Sequence, residues 1–308
     1  EFQRIHGMAD VIHNYFNKFS KDNYQKCRIY APVGNYDDLL PYLMRRLLEN
    51  GANTSFVNKL NNPKLKNKDI LSDPIDTINN YEQIENPQIP LPPNIYLPER
   101  KNSKGYDLDN EYVREKFMNI FIQNNKNYVA SSLINNVEIN GDDFINVLNP
   151  ANLDKIVGKV SFANENIISQ SITNAANFYL SWKDTSINER VKIITKFAEL
   201  LEENTEELVK LCVEEAGKTI KDAIDDIREA VDFCYYYSSE SIKLFSKEKI
   251  LNGPTGEKNK LIYEGKGVIF AISPWNFPIA IFVGQIVSSL LSGNTVIAKP
   301  AEQTSIIG

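Results

Sequence analysis

Residues 267–299 read GVIFAISPWNFPIAIFVGQIVSSLLSGNTVIAK, and no other stretch limits the possible folds so tightly. The run from Gly267 to Ser273 is β-branched and aromatic, the composition of a buried strand. FPIAIFVGQIVSSLLSG predicts a helix, with Ile279, Phe282, Val283, Ile286 and Leu290 on one stripe and Gly293 at the C-terminal stop. TVIAKP predicts a second buried strand. Strand, helix and strand within about 30 residues make a βαβ unit, with parallel strands and a right-handed crossover. The chain is therefore expected to contain an α/β sheet.

In such sheets ligands bind outside the carboxyl ends of the strands, where Ser273 to Phe277 falls. Pro274 and Pro278 restrict the backbone on either side of Trp275, Asn276 and Phe277, so little entropy remains to be lost there. Spacing alone fits two readings. In one, Trp275 and Phe277 cap the sheet and Asn276 makes a turn hydrogen bond. In the other, the Asn276 amide is a preorganised donor for a developing oxyanion, an effect of roughly 2.7 to 4 kcal/mol. The end of the second strand adds Lys299 and Glu302, placed where a βαβ nucleotide site meets the adenosine ribose. A carboxylate there accepts from ribose hydroxyls and repels a 2′-phosphate, which favours NAD over NADP. The G-x-G-x-x-G fingerprint is absent from this stretch, so an ordinary dinucleotide loop is not indicated.

The 308 residues are enough for two domains. A net charge of −6 argues against nucleic acid as a partner of this segment, because phosphate neutralisation needs clustered Lys and Arg. No apolar run reaches the roughly 20 residues of a membrane span, and no signal-peptide pattern opens the chain. Cys27, Cys212 and Cys234 are far apart, which suits small core residues in a reducing, cytoplasmic compartment. With only His6 and His13 besides, no metal site is expected. The chain opens on Glu1 and closes in AEQTSIIG, which reads as the start of a helix, so a fragment of a longer protein is expected.

Three segments follow from the pattern. Residues 1–57 hold a strand, CRIYAPV at 27–33, and an amphipathic helix from Asp37 to Asn50 closed by Gly51. Residues 58–124 form a connector, since half of the 14 prolines fall between Asn58 and Asn110; PIDTINNYEQI and YVREKFMNIFIQNNK read as helices. Residues 125–308 open with NVEINGDDFINVLNP, read as a hairpin turning at Asn140 and Gly141. A helical block follows in IISQSITNAANFYLSW, ERVKIITKFAELLEENTEELVKLCVEEAG and IKDAIDDIREAVDFCYYYSSESIKLF. The acidic run Glu199 to Glu215 reads as its solvated face, and KLIYEG as a strand.

ISPWNFP followed by GNTVIAKPAEQT resembles the aldehyde dehydrogenase superfamily, over about residues 125–308. The resemblance implies that Asn276 helps hold the thiohemiacetal oxyanion, that Ile272, Ser273, Pro274 and Trp275 touch NAD, and that Lys299 and Glu302 bind its ribose. It also implies that the nucleophilic cysteine, the general-base glutamate and a second cofactor turn lie beyond Gly308, so that this chain alone does not oxidise an aldehyde.

The earlier helix carries Leu40, Leu43, Met44 and Leu47 on one stripe and Tyr42, Arg45, Arg46 and Glu49 on another. The polar stripe fits an exposed face with an Arg45 to Glu49 pair. It equally fits two guanidinium forks converging on a carboxylate. CRIYAPVG and YLMRRLLENGANTSFVN resemble the last strand and helix of the proline dehydrogenase (β/α)8 barrel in bifunctional flavoenzymes of the proline utilization A family. That family implies the fold as a whole: the end of a barrel, a linker, then the N-terminal part of a Rossmann-type aldehyde dehydrogenase domain. It implies that Arg45 and Arg46 bind the proline carboxylate, that Tyr30 and Tyr42 line the pocket, and that Glu49 belongs to the FAD site, with most flavin contacts preceding Glu1.

The function so implied is oxidation of L-proline to pyrroline-5-carboxylate at FAD, then of glutamate semialdehyde to glutamate with NAD. Homo-oligomerisation and peripheral contact with the inner membrane are properties expected of the longer protein. A DNA-binding domain, where the longer protein has one, would lie outside this segment. Two rival readings stay open on sequence: a stand-alone aldehyde dehydrogenase with an unrelated N-terminal extension, and a non-catalytic interaction module.

Overall fold

The computed structural model describes residues 2–7, 10–19, 27–51, 59, 62–71, 73–123, 126–246 and 248–308. The chain divides into two compact units, Glu1–Pro87 and Gln88–Gly308.

In the first unit, strand β1 (Phe2–Ile5) leads through helix α1 (Asp10–Phe19) to strand β2 (Cys27–Tyr30). The two strands pair in parallel, with Ile5 opposite Tyr30, as successive strands of a βα repeat must. Helix α2 (Tyr36–Gly51) reaches the expected glycine. Its faces are the reverse of the usual arrangement. Leu39, Tyr42 and Arg46, one stripe at helical spacing, are half-buried, whereas Leu40, Leu43, Met44 and Leu47 of the apolar stripe are exposed. Short helices α3 (Asn67–Ile70) and α4 (Pro74–Asn79) follow; Asp73 caps α4 by accepting from the Ile75 N–H at 2.8 Å, with Pro74 at its first position.

The second unit begins within the stretch read as a connector. Helix α5 (Glu111–Gln123) inserts Phe117, fully buried, into the core of that unit, and Ser103 is held by Asp232, which accepts from its backbone N–H at 2.7 Å and its hydroxyl at 3.0 Å. Strands β3 (Tyr128–Ala130), β4 (Ser132–Ile134), β5 (Val137–Ile139), β6 (Phe144–Asn149) and β7 (Asn152–Ser161) come next. The hairpin lies elsewhere than expected. Asn140 and Gly141 do not turn it; β4 pairs with β5 across Asn135 and Asn136, which take left-handed φ values of 54° and 61°. Asparagine tolerates that region nearly as glycine does. Gly141 serves a close approach instead: its N–H donates to Ser161 Oγ at 2.8 Å, and a Cβ there would lie 1.9 Å from the Phe162 carbonyl oxygen. The partner of β6 is β7, antiparallel, while β3 lies parallel on the other side of β7.

The helical block is α6 (Glu165–Trp182), α7 (Ile187–Glu203), α8 (Thr205–Glu214) and α9 (Ile220–Phe245). The segment read as one helix breaks at Asn204, whose side-chain amide donates to the Leu200 carbonyl at 2.8 Å and thereby satisfies an end of α7. A capping box of Ser186 and Glu189 starts α7. Strands β8 (Lys249–Leu251) and β9 (Asn259–Leu261) make a short antiparallel pair, so KLIYEG is strand only at its start.

The βαβ unit then closes the chain as β10 (Val268–Ile272), α10 (Ala280–Leu291) and β11 (Thr295–Lys299), the strands parallel as expected. The buried face of α10 is Ile279, Ala280, Val283, Val287 and Leu291; Phe282, Ile286 and Leu290 are only half-buried. The helix is apolar nearly all round, so a stripe chosen by hydropathy alone falls about one position off. Its buried face meets α7, α8 and α9 in one core containing Phe117, Ile194, Val209, Ile227, Val231 and Cys234. Truncating Phe117 to alanine should remove about 3–5 kcal/mol from this unit, read as a lower urea midpoint at unchanged slope.

Candidate functional site

Parallel pairing fixes the site. Ile272 stands opposite Lys299 as the last pair of the β10 and β11 ladder, so both strands release their chains at one sheet edge. The Ser273 N–H donates to the Lys299 carbonyl at 3.1 Å, extending the pairing one step into the corner. Ser273 is buried, and its hydroxyl donates to Gln285 Oε1 of α10 at 3.0 Å. Beyond it the chain comes to the surface: Pro274 is half-buried, Trp275, Asn276 and Phe277 are exposed, and Pro278 is fully buried. The second corner carries Lys299 and Glu302, both exposed, with Nζ to Oε2 at 3.7 Å. Glu302 opens a 3₁₀ turn (Glu302–Thr304), where its own backbone N–H, then Gln303 and Lys299, hold its carboxyl below the usual range.

Three residues missed from the sequence support these corners. Ile279 precedes α10 and has no side-chain oxygen with which to cap it. Asp226 of α9, buried, does so instead, accepting from the Ala280 N–H at 2.9 Å. Burial pushes the Asp226 carboxyl up, while the Ala280 N–H, Lys218 and the Ile279 N–H pull it back. Lys218 Nζ lies 3.5 Å from Asp226 Oδ2, donates to the Asn276 backbone carbonyl at 2.9 Å and sits 4.9 Å from the Phe277 ring centre. Glu215 accepts from the Ile306 and Ile307 N–H groups at 2.9 and 2.8 Å. The end of the acidic run is therefore not a solvated face: Glu215 and Glu214 are buried, and Glu214 pairs with Lys155 at 2.6 Å. Charge density hid this in the sequence; the one available signal was Gly217, whose left-handed φ of 67° turns the chain sharply after α8.

Cys212 and Cys234 are fully buried, and desolvation raises both thiols to about 12, so neither supplies a thiolate near neutrality. Cys27 lies in the first unit on β2.

Of the residues singled out in the first unit, Tyr30 and Arg45 are exposed, and Tyr42 and Arg46 are half-buried on the inward stripe of α2. The side chain of Glu49 lies outside the described residues.

Set beside known proteins, residues 137–308 match the aldehyde dehydrogenase family, and the chain belongs to that family. Residues 1–59 match the proline dehydrogenase family. Both matches lie within one alignment to the bifunctional protein PutA of Salmonella typhimurium (strain LT2), 38% identical over 315 residues, which takes in 100% of this chain and 23% of that protein. The 1-pyrroline-5-carboxylate dehydrogenase 2 of Bacillus subtilis (strain 168) is 36% identical over 210 residues, 64% of this chain and 41% of that one. Among solved structures, proline utilization A (PutA) from Bdellovibrio bacteriovorus, inactivated by N-propargylglycine, superposes with a TM-score of 0.74 at 31% identity, over 92% of this chain and 29% of that chain. The chain thus spans about a quarter of the length of the PutA proteins it matches. Its α/β architecture combines the end of a proline dehydrogenase barrel with part of an aldehyde dehydrogenase domain.

Desolvation lifts the Glu215 carboxyl from 4.5 to about 7, against the pull of its two backbone donors. The folded state then binds more protons than the unfolded chain between those values, so this contribution to stability is full below about pH 4.5 and is lost as pH rises to about 7. Glu214, neutralised by Lys155, and the nearby Lys218, Asp226 and Cys212 remain in both proteins of the comparison. Urea titrations should show stability falling across that window in the parent chain and a flatter profile in Glu215→Gln.

Proposed function

We propose that this chain is the junction of a bifunctional proline-catabolic enzyme, joining the end of an FAD-dependent proline dehydrogenase barrel to the NAD-binding start of a glutamate semialdehyde dehydrogenase. The observation that carries the second half is the Ile272 and Lys299 register, which brings the Asn276 corner and the Lys299 and Glu302 corner to one edge. The exposure of all three side chains leaves them available to a ligand there.

These residues fit a dinucleotide. Lys299 and Glu302 offer a donor and an acceptor to the ribose hydroxyls, and the charged Glu302 disfavours a 2′-phosphate. Exposed Ile272 and Trp275 and half-buried Pro274 would supply the wall beside it, with Ser273 buried behind them on Gln285. Bound NAD would accept hydride from the substrate. Asn276 donates its amide N–H to the oxygen that gains charge when the aldehyde is attacked. Burial and raised thiol pKa values keep Cys212 and Cys234 from furnishing the attacking thiolate, which supports the reading that the chain alone does not oxidise an aldehyde.

In the first unit Arg45 and Arg46 would bind the proline carboxylate, with Tyr30 and Tyr42 beside the ring and Glu49 toward the flavin. The described part of that unit does not by itself enclose a flavin: Ile5 is its one buried hydrophobic residue, and Tyr30 and Met44 are open to solvent. The ring-opened product, glutamate semialdehyde, is the aldehyde for the second site, which explains why both activities share one chain.

In the longer protein that carries this segment, Asn276→Ala should lower kcat for glutamate semialdehyde about 10²- to 10³-fold with little change in the KM for NAD. Charge reversal at Arg45 and Arg46 should abolish proline oxidation and spare the aldehyde step. Unchanged kcat in the first variant removes Asn276 from the reaction, and NADH formed by the 308-residue chain alone refutes its inactivity.

A further inference from the structure

Both corners meet the same short turn between α8 and α9. Glu215, at its start, takes the Ile306 and Ile307 N–H groups that follow the Lys299 and Glu302 corner. Lys218, three residues on, holds the Asn276 carbonyl and reaches Asp226 beneath it. The turn is itself rigid. The Lys218 N–H donates to the Cys212 carbonyl at 3.1 Å, Gly217 is left-handed against Pro150, and the Thr219 hydroxyl accepts from the Asp222 N–H at 3.1 Å to start α9.

We infer that the turn Glu214–Thr219 is a brace that sets the oxyanion corner and the ribose corner relative to each other, with Glu215 and Lys218 as positioning residues. This rests on the reading of the two corners given above. Among the described residues no Lys or Arg lies within ion-pair distance of Glu215, although it is only 4% exposed. Burying an unpaired carboxylate costs more than burying an apolar side chain of similar size. Such a group is a poor device for stability and a good one for direction, because its two oxygens fix two successive backbone donors. Lys218 works in the same way. Its ammonium ties a carbonyl flanked by exposed Trp275 and Phe277, at the point of the corner where neither strand nor helix holds the backbone.

The test separates the brace from the cofactor reading by using amide hydrogen exchange, which needs no ligand. In the 308-residue chain above pH 7, where Glu215 is ionised, Glu215→Gln should speed exchange at Ile306 and Ile307 about tenfold, since an amide supplies one acceptor oxygen for two donors. Lys218→Met should speed exchange around Trp275 to Phe277 and shift Trp275 emission, and Lys218→Arg, which keeps a donor, should restore both. Core amides of α9 should be unaffected. Glu215→Leu should match or exceed the parent in urea stability above pH 7 while releasing Ile306 and Ile307, a split that a purely structural role does not give. Exchange unchanged at both corners overturns the brace, as does loss of stability in parallel with release in Glu215→Leu. NAD titration of the same variants should show affinity falling about five- to tenfold. Released corners without any NAD binding by the parent chain leave the brace standing and remove the reading of the edge as a dinucleotide site.

Discussion

A buried carboxylate governs the second unit. Asp226 belongs to α9 but satisfies the first free N–H of α10, in a place where Ile279 has nothing to offer. Helix starts carry unsatisfied donors and partial positive charge, so an anion at that point is favourable even when its desolvation is expensive. The bond decides where α10 begins, and hence where the segment entering it must leave β10. Pro278 and Ile279, both buried, lock the same spot by packing. Trp275 to Phe277, exposed at the sheet edge, take their position from this attachment, from the strand pairing behind it and from Lys218 on the Asn276 carbonyl.

The strands and helices of the βαβ unit were legible because their physical signals are local. Apolar runs of the right lengths, a glycine after the helix and a proline pair at the corner all act within a few residues of where they are read. The same holds for α9, whose periodicity spans its whole length, and for α2, which ends at Gly51. The hairpin was misplaced because Asn-Gly is the stronger turn dipeptide, while Asn135 and Asn136 achieve the same backbone with less conspicuous residues. At Gly141 the absent side chain answers a nonlocal demand, the Phe162 carbonyl, which no window of sequence contains.

The candidate site divides in the same manner. Asn276, Lys299 and Glu302 stand at strand ends and could be picked out from pattern and chemical type. Glu215, Lys218 and Asp226 could not, because each acts on a segment between 54 and 92 residues away. A glutamate inside an acidic run looks solvated until the fold brings two backbone donors to it. Support of this kind is written in tertiary contacts, and sequence reading reaches the exposed strand ends sooner than the framework beneath.

The first unit shows what it means for order to come without a core. Among the described residues of that unit, a pair of parallel strands with one buried aliphatic, Ile5, and a helix whose Leu40, Leu43, Leu47 and Leu48 face solvent repay little of the conformational entropy of about 1–2 kcal/mol for every backbone residue held in place. Apolar hydration dominates the heat capacity of unfolding, so the described first-unit residues contribute little to the calorimetric signal beside the core of residues 88–308. Heating would therefore report mainly on the unit that carries the aldehyde dehydrogenase match.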